Sequence, residues 1–182
     1  MPVKEAPTGA AILAPPTSRH PKRVPITVDL MERIFNKLDL TDPLDAVVVS
    51  CFLMIFYSVA HTGEFTLTML NAFDPMWHVK PSDISNRTDW NNLEVTGFHL
   101  LKTKCAPEGE NLNVFWLHQD GVMDPKAALN NHLQTNNHPT NGLLFTYRHA
   151  RGLYLLTKKF FLDQINAIVL SLGEDSLKGH EI

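Results

Sequence analysis

The chain has 182 residues, of which 44% are hydrophobic and 19% charged, and its formal net charge is −3. That length can bury one substantial core, and the composition is that of an ordinary globular protein. With a pI near 6.3 the average surface does not attract nucleic acid, so any DNA contact has to come from a local basic patch.

Residues 1–25 form a separate zone, punctuated by Pro2, Pro7, Pro15, Pro16, Pro21 and Pro25, with Arg19, Lys22 and Arg23 near its end. This composition predicts an extended basic linker. Its one apolar patch, Ala10 to Ala14, is too short for a secretory signal, which predicts a nuclear or cytoplasmic protein. From Thr27 the residues Val28, Leu30, Met31, Ile34, Phe35 and Leu38 recur at helical spacing, with Thr27 or Asp29 as N-cap. Thr41-Asp42-Pro43 then opens a second helix, Thr41 or Asp42 capping it and Pro43 in its first turn. That helix is apolar nearly all round and is interrupted near its end by Gly63. Its uncharged run, Ala46 to Ala60, falls short of the ~20 residues that span a bilayer and reads as a buried core helix.

Strand patterns follow. Val79–Ile84, Leu93–Leu101 and Asn113–His118 are the candidates, and the turn-forming Ala106-Pro107-Glu108-Gly109-Glu110 joins the last two as a hairpin. Asp124-Pro125 starts a helix through Ala127, Ala128, Leu129 and Leu133 that ends at Asn136-Asn137-His138-Pro139. Beyond a loop at Arg148–Gly152, Thr157 caps a last helix with Phe160, Phe161, Ile165, Ile168, Val169 and Leu172 on its apolar face and Gly173 as C-cap. Helices, a three-stranded antiparallel meander and further helices predict a mostly helical α+β fold.

Two cysteines are too few for a disulfide framework and fit a reducing compartment; Cys51 reads as core and Cys105 as a free thiol. Nine histidines are scattered, and His132 and His138 flank a polar stretch without cysteine partners, so no metal site is predicted. The one basic cluster is Arg148, Arg151, Lys158 and Lys159, with His149 among them and no acidic residue from Asn141 to Leu162. On its own it reads as a solvated loop and helix face.

Three blocks occur in order: Ser58-Val59-Ala60-His61-Thr62-Gly63-Glu64-Phe65, then Thr103-Lys104-Cys105-Ala106-Pro107-Glu108-Gly109, then Gly179-His180-Glu181-Ile182. The first resembles the Ala-Arg-x-Gly-Glu segment of tyrosine recombinases, the second the hairpin that carries their catalytic lysine, the third the opening of their His-x-x-Arg box. The chain most resembles the integrase-like recombinases of fungal mobile elements, which share the Pro-rich lead-in and the Thr-Lys-Cys-Ala-Pro-Glu-Gly string. The resemblance implies that residues 26–182 are part of a tyrosine-recombinase catalytic domain that needs no cofactor and has DNA as its partner.

In that family a tyrosine hydroxyl attacks a DNA phosphodiester and keeps the broken bond's energy in a 3′-phosphotyrosine link. Arginines and a histidine stabilise the charge on the non-bridging oxygens, and the hairpin lysine protonates the leaving oxygen. By resemblance Lys104 takes the lysine's place, with Lys102 as fallback and DNA contact, His180 is the box histidine, and Glu64 orients the first arginine. Read without the family, Lys104 is a solvated strand-end lysine and Glu64 a turn or capping carboxylate. His61 stands where the family has that arginine, and a short, mostly neutral imidazole cannot form a bidentate clamp on phosphate. The basic cluster Arg148, Arg151, Lys158 and Lys159 falls where the family faces DNA.

The same resemblance places the box arginine, a later His/Trp and the nucleophilic tyrosine after Ile182, since Tyr57, Tyr147 and Tyr154 precede the box. The expectation is a truncated, inactive remnant with weak DNA binding. Two others stand beside it: an active recombinase whose gene model ends early, and a non-enzymatic interaction module that self-associates through apolar surface.

Overall fold

A computed structural model describes residues 26–100, 112–137 and 139–177. The linker predicted for residues 1–25 lies outside the described residues, as do Lys102, Lys104, Cys105, His138 and His180. Among the described residues the fold is α+β. Its helices are α1 (Val28–Phe35), α2 (Pro43–Ser58), the single turn α3 (Thr62–Phe65), α4 (Pro125–Asn136) and α5 (Lys158–Ser171). Its strands are β1 (Ile84–Thr88), β2 (Glu94–Leu100), β3 (Leu112–Leu117), β4 (Thr146–His149) and β5 (Gly152–Leu155).

The helix starts follow from side-chain caps on otherwise unpaired N–H groups. Thr27, rather than Asp29, accepts from Leu30 N–H at 3.2 Å, and Thr157 accepts from Phe160 N–H at 3.2 Å. Asp42 accepts from Leu44 and Asp45 at 2.9 and 3.0 Å, while Thr41 bonds back to Asp39. Asp124 caps α4 through the N–H groups of Lys126 and Ala127. Pro43 and Pro125 occupy first-turn positions where no amide proton is missed.

α2 is the central post. Every residue from Ala46 to Ile55 is buried, as its all-round apolar sequence requires. Burial pushes the Cys51 thiol well above its ordinary value, so it is an inert core residue. The helix ends before the expected Gly63. Val59 turns left-handed at φ 52°, Ala60 N–H bonds to Ile55 carbonyl at 3.1 Å, and Val59 N–H bonds to Phe56 carbonyl at 3.3 Å. This is a Schellman stop with valine in the place glycine usually takes.

The meander pairs β1-β2-β3 antiparallel, with Phe98 opposite Val114 and Thr96 opposite Trp116 on the core face. The strand expected at Val79–Ile84 begins only at Ile84. Lys80 N–H is captured by the Asp83 carboxylate at 2.9 Å and Pro81 has no N–H to give a ladder, so Pro81–Asp83 forms a 3-10 turn. The expected loop at Arg148–Gly152 is a second hairpin, β4 with β5, which pairs Tyr147 with Tyr154 and His149 with Gly152. Arg33 of α1 reaches Glu174 at 2.7 Å and Leu172 carbonyl at 3.2 Å, closing the C-terminal end of α5. Gly173 follows α5 with φ +79°, as the sequence predicts.

Candidate nucleic-acid interface

Phe65 fixes the geometry of the site. It is fully buried and meets Phe98 of β2 at 5.4 Å and Phe145 at 5.7 Å, both edge-on. One side chain thus ties the His61–Phe65 turn to the meander on one side and to the lead-in of the β4–β5 hairpin on the other. Two residues further on, Leu67 bridges to Thr157. Leu67 N–H bonds to Leu156 carbonyl at 3.2 Å, and Lys158 N–H bonds to Leu67 carbonyl at 2.7 Å. The first motif block, the sheet and the start of α5 are therefore neighbours, although they are far apart in sequence.

Within that frame each predicted residue has a definite place. His61 precedes α3 with its side chain exposed, and Glu64 is half-buried. The Glu64 carboxylate accepts the backbone N–H of His61 at 2.9 Å, which is capping geometry. Lys102 and Lys104 follow β2, whose last described residue is Leu100, and their geometry lies outside the described residues together with that of His180.

The four cations of the basic cluster differ in what holds them. Arg148 is docked on α4: its N–H bonds to Asn136 Oδ1 at 2.7 Å and its guanidinium meets Asn136 carbonyl at 3.3 Å. That places a positive group at the negative end of the helix. Lys159 pairs with Asp163 one turn along at 2.5 Å, an exposed contact of little energetic weight. Arg151 at the hairpin tip is exposed and Lys158 half-buried, and neither has an ion-pair partner among the described residues. Aromatic rings run beside them: His149 to Tyr154 at 5.1 Å, Tyr154 to Tyr147 at 5.9 Å, and Tyr147 nearly parallel to Phe160 at 5.9 Å.

Tyr57 and Tyr147 are not activated nucleophiles. Burial, then the charges of Asp124 and Glu32, push the Tyr57 phenol above its ordinary value. Burial and Tyr154 do the same to Tyr147. Both stay protonated at neutral pH. No group of three metal-ligating side chains occurs among the described residues, and no helix there is long and apolar enough to cross a membrane. His132, read in the sequence as flanking a polar stretch, is wholly buried. Sequence reasoning also missed Asn136, which joins α2, α4 and β4, because an asparagine near a helix end looks like a stop signal.

The fold, helical α+β with a three-stranded meander between its second and fourth helices, is similar to that of solved recombinase structures. The chain is similar to the FLP recombinase–Holliday junction complex I, with a TM-score of 0.51, 12% identity, and 88% of this chain covered against 39% of that one. It is similar to a Flpe–Holliday junction complex at 0.51, 13% identity and 83% against 37% coverage. A tryptophan-to-phenylalanine mutant of Flpe with a DNA Holliday junction gives 0.51, 14% identity and 84% against 36% coverage. The chain thus spans under two-fifths of the length of these solved chains. No family model matches the sequence, and no curated protein does.

Proposed function

We propose that this chain is a DNA-binding module built on the tyrosine-recombinase catalytic fold, with impaired ability to cut DNA itself. The observation that carries the reading is the structural likeness to recombinases solved on Holliday junctions, which agrees with three motif blocks in the family's order. DNA is the partner. Arg151 and Lys158 are its principal phosphate contacts, because both are cations without an ion-pair partner among the described residues. Arg148 and Lys159 contribute less, being held by Asn136 and Asp163. By the family resemblance Lys102 and Lys104 add further DNA contacts, and His180 corresponds to the family's histidine box.

The impairment rests on His61. In the family an arginine at this place holds two phosphate oxygens, and loss of one such donor costs about 2.7–4 kcal/mol of transition-state stabilisation in comparable sites. Glu64, which the family uses to orient that arginine, here bonds to the backbone of its own turn. The mobile-element ancestry implied by the Thr-Lys-Cys-Ala-Pro-Glu-Gly string belongs to the same reading.

Two assays test it. Arg151→Ala and Lys158→Ala should each weaken duplex-DNA binding several-fold at low salt, roughly independently of sequence, while Lys159→Ala has a smaller effect. Equal, negligible effects would remove the interface. A suicide DNA substrate should yield no covalent protein–DNA adduct; an adduct from the unmodified chain would refute the impairment.

A second reading, a protein-interaction module, has its own observation. The loop after Leu67 exposes Met69, Leu70, Met76 and Trp77, at 62%, 59%, 69% and 52%. Apolar side chains gathered in one exposed loop mark a contact surface. Concentration-dependent self-association in size-exclusion chromatography, abolished by Trp77→Ser, would favour it.

A further inference from the structure

The β4–β5 hairpin carries its aromatic side chains on one face. Tyr147 and His149 alternate along β4, and their cross-strand partners are Tyr154 and Gly152. The rings form a row: Tyr147 lies nearly parallel to Phe160 of α5, Tyr154 tilts against Tyr147, and His149 meets Tyr154 at 68°. The two ends of the row differ in their surroundings. Tyr147 and Phe160 pack against the hydrophobic core, and that packing accounts for them. Tyr154 stands outside that packing, half-buried, and His149 is exposed. Opposite His149, Gly152 leaves the place of a side chain open, with nothing within 4 Å of where a Cβ would stand. The outer end of the row is therefore an aromatic surface with room beside it.

The charges around the row say what it suits. Arg151 is at the hairpin tip beside His149, Lys158 opens α5 two residues before Phe160, and no acidic residue occurs from Asn141 to Leu162. Cations at both ends of an aromatic row fit a ligand with flat rings along an anionic backbone. In duplex DNA each base face is covered by its neighbours, and a protein ring reaches one only by unstacking it. A single strand offers its base faces without that cost.

We propose that the His149–Tyr154 end of the row is a base-stacking platform, so that the interface takes unpaired nucleotides of single-stranded DNA in preference to continuous duplex. The inference rests on the DNA-binding reading and names the form of DNA that the site takes. Arg151 and Lys158 hold the phosphates, and a base lies on the open ring surface beside Gly152. Tyr147, stacked on Phe160, supports Tyr154 rather than receiving a base itself. Every base has a π-face, so the platform selects no sequence.

The test is fluorescence anisotropy at low salt with three labelled probes of one length. They are an oligothymidine, the same strand with abasic sites in place of its central bases, and the oligothymidine paired with oligoadenosine as a duplex. The abasic strand keeps every phosphate and lacks only the rings. The unmodified chain should bind the oligothymidine about fivefold or more tighter than the abasic strand, and tighter than the duplex. His149→Ala and Tyr154→Leu should each remove most of the advantage over the abasic strand, while Arg151→Ala weakens both strands alike. Equal affinity for the two strands, or tighter binding of the duplex, would overturn the proposal. So would an advantage that survives both His149→Ala and Tyr154→Leu. The comparison of strands uses the unmodified chain and decides even where a variant fails to fold. Equal binding of the two strands that Arg151→Ala weakens would overturn the platform alone and leave the phosphate interface standing; no binding of any probe would overturn both.

Discussion

Val59 shows how far a single residue can depart from what its type suggests. A β-branched side chain at φ 52° is strained, and this one is 92% exposed, so no burial offsets the cost. Replacing it by glycine removes roughly 1–2 kcal/mol of left-handed strain and returns part of that as lost unfolded-chain restriction. The expected outcome for Val59→Gly is a net stabilisation of about 0.5–1 kcal/mol, read as a higher urea midpoint at unchanged slope. A lower midpoint would mean that the side chain contributes packing. The sequence suggested Gly63 as the interruption because glycine is the usual stop signal. The actual stop is written in hydrogen bonds to Ile55 and Phe56 and in the burial of Ala60, which residue type alone does not reveal. His132 was equally illegible: the Leu144 carbonyl and the Phe145 ring are brought against it only by folding.

At the scale of elements, periodicity and capping carried most of the information. The starts of α1, α2, α4 and α5 follow from Thr27, Asp42, Asp124 and Thr157, and the alternation in Glu94–Leu100 and Leu112–Leu117 shows through as paired strands. The β4–β5 hairpin did not show through. Each strand has four residues, and the turn between them, Ala150-Arg151, has none of the Asn-Gly or Asp-Gly chemistry that marks a tight hairpin. The cross-strand pair Tyr147–Tyr154 was the available signal. In the meander, register depends on Gly97, opposite Phe115. A Cβ there would lie 2.4 Å from the Phe115 ring and 2.7 Å from Val114 carbonyl. The ring covers the glycine, and the Arg87 guanidinium sits 5.7 Å from the ring centre. Gly97→Ala should cost about 1–3 kcal/mol by forcing β2 and β3 apart. Adding Phe115→Ala should restore only part of it, since the carbonyl contact persists. A neutral Gly97→Ala would contradict the register.

For the whole molecule, the fold class was legible, and the likeness to Flp structures agrees with it. The grouping of the site was not. Phe65 joins the first motif to the meander and to the second hairpin through two ring contacts, and Leu67 joins it to α5, none of which sequence spacing encodes. With a net charge of −3, the proposed DNA affinity has to reside in a local cationic surface rather than in the average field. Binding should therefore be weak and strongly salt-dependent. The most direct measurement is fluorescence anisotropy of the unmodified chain with duplex DNA across a salt series. The account predicts binding at low salt that falls with a log–log slope of about −2 to −4, the signature of a few phosphate contacts. Absence of binding to duplex DNA even at the lowest salt would contradict it.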